Sequence, residues 1–172
     1  MQKVVILLSV LGVSLALAMP VLARDFVLSD QQIEDIRASC VKSQAALKRV
    51  HTSDALLRVN IGQRYENISL RLMAPLNSRI ALNGLDVVDL ATTTTSYNQE
   101  LKDFVKNYRE YETTVANALK LKCSEQPVEY YSLVDASREG RAFVRANMVR
   151  LDQLIKQYRS QVSDFSQKRD LK

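Results

Sequence analysis

From Val134 to Phe165 the chain repeats in steps of three and four: Val134, Ser137, Arg141, Val144, Met148, Leu151, Ile155, Tyr158, Val162 and Phe165. Eight of these ten positions are apolar, which makes a heptad seam more than four repeats long. A helix with such a seam must lie against other long helices. The remainder of the chain is therefore read as its partners.

Two more seams meet that demand. The first helix opens at Leu28-Ser29-Asp30-Gln31-Gln32-Ile33, with Ser29 as cap, Gln32 reaching back and Leu28 packing on Ile33. This Leu-Ser-x-x-Gln opening resembles the helix-start motif of small periplasmic stress chaperones. It occurs once, with Ser where that family usually has Thr, and implies nothing past a helix start. Apolar positions then run Ile33, Ile36, Cys40, Leu47, Val50, Leu57, Ile61, Ile68, Leu72, Leu76 and Ile80. Pro75 removes one helical hydrogen bond and bends this helix, and Asn83-Gly84 ends it. A second helix carries Val88, Leu101, Phe104, Val105, Tyr108, Tyr111, Val115, Ala118 and Leu119. Its Thr92–Thr95 run is poor in helix propensity, so its neighbours must hold it helical. Ser124-Glu125-Gln126-Pro127 makes the next turn, with Pro127 suited to the first position of the third helix. The expected fold is all-α: an elongated antiparallel three-helix bundle or coiled coil. Its helices cover about 30–82 (kinked near Pro75), 85–122 and 127–166, and residues 167–172 fray.

The start of the chain points to a compartment. Lys3 is followed by the uncharged apolar run from Val4 to Leu17, and Val21-Leu22-Ala23 precedes Arg24-Asp25. These are the three parts of a secretory signal peptide, cleaved after Ala23. An uncleaved anchor is the alternative, since the apolar run reaches spanning length. The domain reading is signal peptide 1–23 and one helical-bundle domain, 24–172. The expected location is exported, whether periplasmic, cell-surface or secreted, with membrane anchoring as the second option.

In an oxidising compartment the chain's two cysteines, Cys40 and Cys123, are most simply a disulfide. The midpoint of that pair falls beside Asn83-Gly84. In the first hairpin residue n then faces about 163 − n, and helix one lies parallel to helix three with an offset of about 87. That register puts Asp54 level with Arg141, and Arg138 level with His51 and Glu112. His51, Asp54, Glu112, Arg138 and Arg141 are thus expected to share one polar layer. It reads as a buried ion layer that fixes helix register. Charges that snorkel to solvent and a ligand site are the alternatives.

Little here suggests chemistry. No His/Cys metal spacing exists, and the single His has no visible nucleophile to activate. No cofactor and no enzymatic activity are expected. Most of the seven tyrosines sit at helical spacing and read as core. Tyr130-Tyr131 is the exception, because adjacent helical residues cannot both face inward. Arg138, Arg141 and Arg145 share a face suited to an anion, with Asp135 and Glu139 interleaved. Asn67-Ile68-Ser69 fits a glycosylation acceptor, relevant only in a secreting eukaryote. The formal charge of +5 is spread over 24 basic and 19 acidic residues without blocks of one sign, which argues against nucleic acid. The expected function is an exported structural or protein-interaction module. Its partners are other envelope or secreted proteins, or itself, because Val27, Leu28, Ile33 and Ile36 project past helix two. The alternatives are a chaperone-like cargo binder and, with the leader retained, a membrane-anchored subunit of an envelope complex.

Overall fold

Every described residue from 30 to 82 is helical. The computed structural model describes residues 27–170; the expected signal peptide lies outside that range. The elements are α1 (Asp30–Asn67), a π-helical segment (Ile68–Met73), α2 (Ala74–Leu82), α3 (Val88–Lys120) and α4 (Pro127–Asp170). At 1.5 Å per residue the 44 residues of α4 extend about 66 Å, so the bundle is elongated. α3 and α4 form a closely packed antiparallel hairpin, and α1 lies on it more sparsely.

The helix ends follow local chemistry. Ser29 Oγ accepts from Gln32 N–H at 3.3 Å, and Gln32 Oε1 accepts from Ser29 N–H at 2.9 Å, which satisfies two orphan donors. At the far end Gly84 takes φ 67°, a conformation that lacks strain only for glycine. Leu85 N–H then reaches Ile80 O and Gly84 N–H reaches Ala81 O, closing the helix with two terminal carbonyls bonded. α3 begins at Val88 rather than near 85, because the Asp86 carboxylate accepts from Val88 N–H at 3.0 Å and starts the helix there. It ends at Lys120, two residues before the expected limit, because Leu121 is extended and gives its carbonyl to Gln44. α4 runs to Asp170, where fraying was expected.

Pro75 neither breaks helix one nor sharply ends it. It stands at the second position of α2, preceded by the π turn. Proline has no N–H and its ring crowds the carbonyl four residues earlier. A wider turn, in which Ala74 N–H reaches Ser69 O five residues back, takes up that misfit. The extra residue re-phases the apolar stripe. Leu72, expected in the seam, is 62% exposed, and its neighbour Met73 is 1% exposed in the core.

The core is aromatic. Tyr65, Tyr97, Phe104, Tyr108, Tyr111 and Tyr158 are buried with Met73, Leu90, Val115, Leu151 and Leu154. The threonine run is helical, and its hydroxyls bond within the helix: Thr94 to Leu90 O at 2.8 Å and Thr95 to Ala91 O at 3.0 Å. Thr93 and Thr94 face inward, where Thr94 also accepts from Asn77 Nδ2 at 2.8 Å. Cys40 and Cys123 form a disulfide with Cα atoms 5.6 Å apart. A second apolar cluster of Ala118 and Tyr130 surrounds it, with Ile36 and Leu47 against its edge. Ile36 thus finds its cover inside the chain, whereas Val27 is fully open to solvent.

α4 approaches α3 closely at Gly140. A Cβ there would stand 3.3 Å from Tyr111 Cβ and 3.4 Å from its Cα. Gly140→Leu is therefore expected to cost about 1–3 kcal/mol by overpacking. Gly140→Ala should be near neutral, because its helix propensity offsets the tight contact by about 1 kcal/mol. Urea midpoints of the two variants check this.

Candidate functional site

The three long elements each bring one polar side chain to the same level. Asp54 lies on the inner face of α1, Tyr111 on α3 and Arg141 on α4. Arg141 Nε donates to Asp54 Oδ2 at 2.7 Å and its Nη2 donates to Oδ1 at 2.8 Å, a two-pronged pair that suits a planar guanidinium. Tyr111 hydroxyl donates to the same Oδ2 at 2.6 Å. The Asp54 side chain is 9% exposed and that of Arg141 37%. Burial alone would push the Asp54 carboxyl up. The hydrogen bonds from Arg141 and Tyr111, with the charges of Arg141 and Arg145, reverse this and hold it below the ordinary value. Burial and the bond to Asp54 push the Tyr111 hydroxyl up, so it stays a donor.

The other expected members of the layer are elsewhere. Arg138 is 69% exposed on its side chain and pairs with Asp135 of its own helix at 3.9 Å. Among the described residues no ion pair joins it to Glu112. The cause is angular: three positions before Arg141, Arg138 is turned some 60° off the inward face. His51 is half-buried and hydrogen-bonds none of the four. Its Nε2 is shielded from water and has no partner. The layer is thus a triad of Asp54, Tyr111 and Arg141, and Tyr111 entered the sequence reading only as an apolar seam residue.

Tyrosine hydroxyls repeat this device along the bundle. Tyr97 donates to Tyr65 O at 3.0 Å, Tyr65 to Asp152 Oδ1 at 3.2 Å, and Tyr158 to Asn77 Oδ1 at 2.7 Å. Tyr130 is buried with its hydroxyl 2.9 Å from Ser43 Oγ, while Tyr131 is half-buried. Tyr65, Tyr97 and Tyr158 are core, as their spacing predicts, and their hydroxyls are tied to side chains and carbonyls of neighbouring helices. Burial, then the charge of Asp152, pushes the Tyr65 hydroxyl up to about 12. A polar link also joins α3 to α4: Asn107 Nδ2 donates to Asn147 Oδ1 at 2.8 Å, and Asn147 Nδ2 to Glu100 Oε1 at 2.6 Å.

Among the described residues no three His, Cys, Asp or Glu side chains gather to hold a metal ion, and no helix is long and apolar enough to cross a membrane. No family model, curated protein or solved structure matches this chain.

Asp54 makes stability depend on acid. Its folded pKa lies below 3.8, so its contribution is fully present above that value and is lost as pH falls through the folded pKa. Melting temperature is expected to drop below about pH 4 in the wild type. In Asp54→Asn the acid limb should be flatter, as melting curves across acid pH would show.

Proposed function

We propose that this chain is an exported, non-enzymatic helical bundle that works as a structural or protein-interaction module in the cell envelope or outside the cell. The observation that carries the reading is the outer face of α1. Val41, Leu56 and Val59 are exposed there, and Leu70 continues the line into the π segment. Val59 follows Val41 by about five helical turns and Leu70 follows Val59 by about three, so these side chains share one side of the helix, with Lys48, Thr52, Gln63 and Glu66 between them. That side lies opposite Asp54, Ile61 and Tyr65, which face the hairpin. Val41, Leu56 and Val59 thus remain open to solvent on a side of α1 that the hairpin does not cover, set among polar side chains. The disulfide supports an oxidising compartment, in keeping with the export signal that the N-terminal sequence leads us to expect.

The test is a photo-crosslinking residue at Val59 in the full-length chain, expressed in its own host. Export predicts loss of residues 1–23 and a Cys40–Cys123 bond that resists alkylation without reductant. The interaction reading predicts crosslinked products from Val59 and Leu70, and none from a polar position such as Glu129 at the turn end. An oxidised, processed protein that yields no crosslink along α1 would overturn the interaction reading and leave export standing.

A further inference from the structure

About one turn beyond the Asp54–Arg141 pair, α1, α3 and α4 part to leave a half-open cavity of about 150 Å³. Its apolar wall is Ile61, Phe104, Val144 and Met148, and its charged rim is Arg58, Arg141 and Arg145 with Asp54. Three guanidiniums thus border one small space that holds one carboxylate.

That carboxylate is already used. Arg141 and Tyr111 occupy Asp54 Oδ2, and Arg141 also takes Oδ1. Arg145 reaches Asp54 through its charge alone, and among the described residues it makes no hydrogen bond or ion pair. Arg58 lies with its Cζ 5.0 Å from the centre of the Tyr108 ring. Stacking occupies the flat face of a guanidinium and leaves its in-plane N–H donors pointing outward. Two sets of unused donors therefore flank an apolar recess. This combination, mostly apolar walls with a few convergent polar groups, is how small-ligand sites are built.

Size and charge narrow the ligand. A cavity of about 150 Å³ takes a single benzene-sized ring. Two guanidiniums that make no hydrogen bond to a carboxylate among the described residues call for an oxyanion, and their planar forks match a carboxylate. We propose that this cavity binds a small monocarboxylate with an apolar body of about one ring. The carboxylate sits among Arg58 and Arg145, and the body lies on Phe104, Val144 and Met148. A free inorganic anion would leave the apolar wall unused, and a long acyl chain would not fit.

Benzoate is the probe, titrated into the oxidised full-length protein and followed through the Met148 methyl signal. A saturable one-to-one response in the millimolar range or tighter is expected. Benzyl alcohol, which has the same body without the charge, should bind about tenfold more weakly. Arg145→Met should weaken benzoate by a similar factor with unchanged helix content, because Arg145 is exposed and holds no structural bond. Met148→Phe, which fills the recess and leaves the rim intact, should abolish the response. The proposal is overturned by no saturable benzoate response, by equal binding of benzyl alcohol, or by displacement of benzoate with inorganic phosphate. The benzoate, benzyl alcohol and phosphate titrations need only the wild-type chain.

Discussion

Arg141→Leu is expected to lower the stability of the bundle by about 3 kcal/mol, the lower end of the range for breaking a buried pair, since Arg141 keeps part of its side chain in solvent. The loss comes less from the missing attraction than from what stays behind. Asp54 would remain inside α1 with Tyr111 as its only hydrogen-bond donor and only the more distant charge of Arg145 to balance it. Adding Asp54→Leu should therefore restore part of the loss, because two apolar groups do not need each other's charge, although the Tyr111 hydroxyl then lacks its acceptor. Two effects that fail to add in this way mark a coupled pair. Urea unfolding of the two single variants and the double variant measures the coupling. If Arg141→Leu unfolds at the wild-type midpoint, the pair is a surface contact and the bundle does not depend on it.

The second large effect is at the disulfide. Replacing Cys40 and Cys123 by serine should cost about 4–5 kcal/mol, the loop-closure value for a bridge between residues 83 apart in sequence. The loss should be uneven. α3 and α4 hold each other along their length, whereas α1 meets them more sparsely. Amide hydrogen exchange is expected to rise first in residues 30–50 and last in the hairpin. A uniform rise would show that α1 and the hairpin unfold as one unit even without the bridge.

Much of the architecture is legible in the residues. Seams with gaps of three, four or seven define the first and third long helices, a looser stripe marks the second, and two cysteines on either side of an Asn-Gly turn set how they pair. The offset of 87 is also a matter of arithmetic: Ser43 meets Tyr130, Asp54 meets Arg141 and Tyr65 meets Asp152 at that separation. Level, however, is only one of two coordinates. Arg138 shares a level with Glu112 but points elsewhere, because a few positions on a helix decide the face. Spacing also says nothing of what a tyrosine hydroxyl will find. Tyr111 fits an apolar stripe equally well whether its tip is wet or bonded to Asp54. The cavity was hidden for a related reason, since Arg58, Arg145 and Phe104 come from three helices and meet only when depth and angle are both known.

The wide turn before Pro75 sets a limit on how this protein can vary. Where two parallel helices advance equally per residue, the separation between partners stays fixed. A π turn spends more residues on the same length, so the separation must fall beyond it. One wide turn lowers it by about one residue, and beyond it Tyr158 bonds to both Met73 and Asn77, a turn apart, at separations of 85 and 81. The segment Ile68–Met73 works as a vernier between two scales, matching one end of the bundle to its partner without disturbing the other. Length changes at that turn should therefore misalign α2 with its partner helix. A residue lost there converts the wide turn to an ordinary one, and α2 swings about a quarter-turn to carry Asn77 and Ile80 off the hairpin.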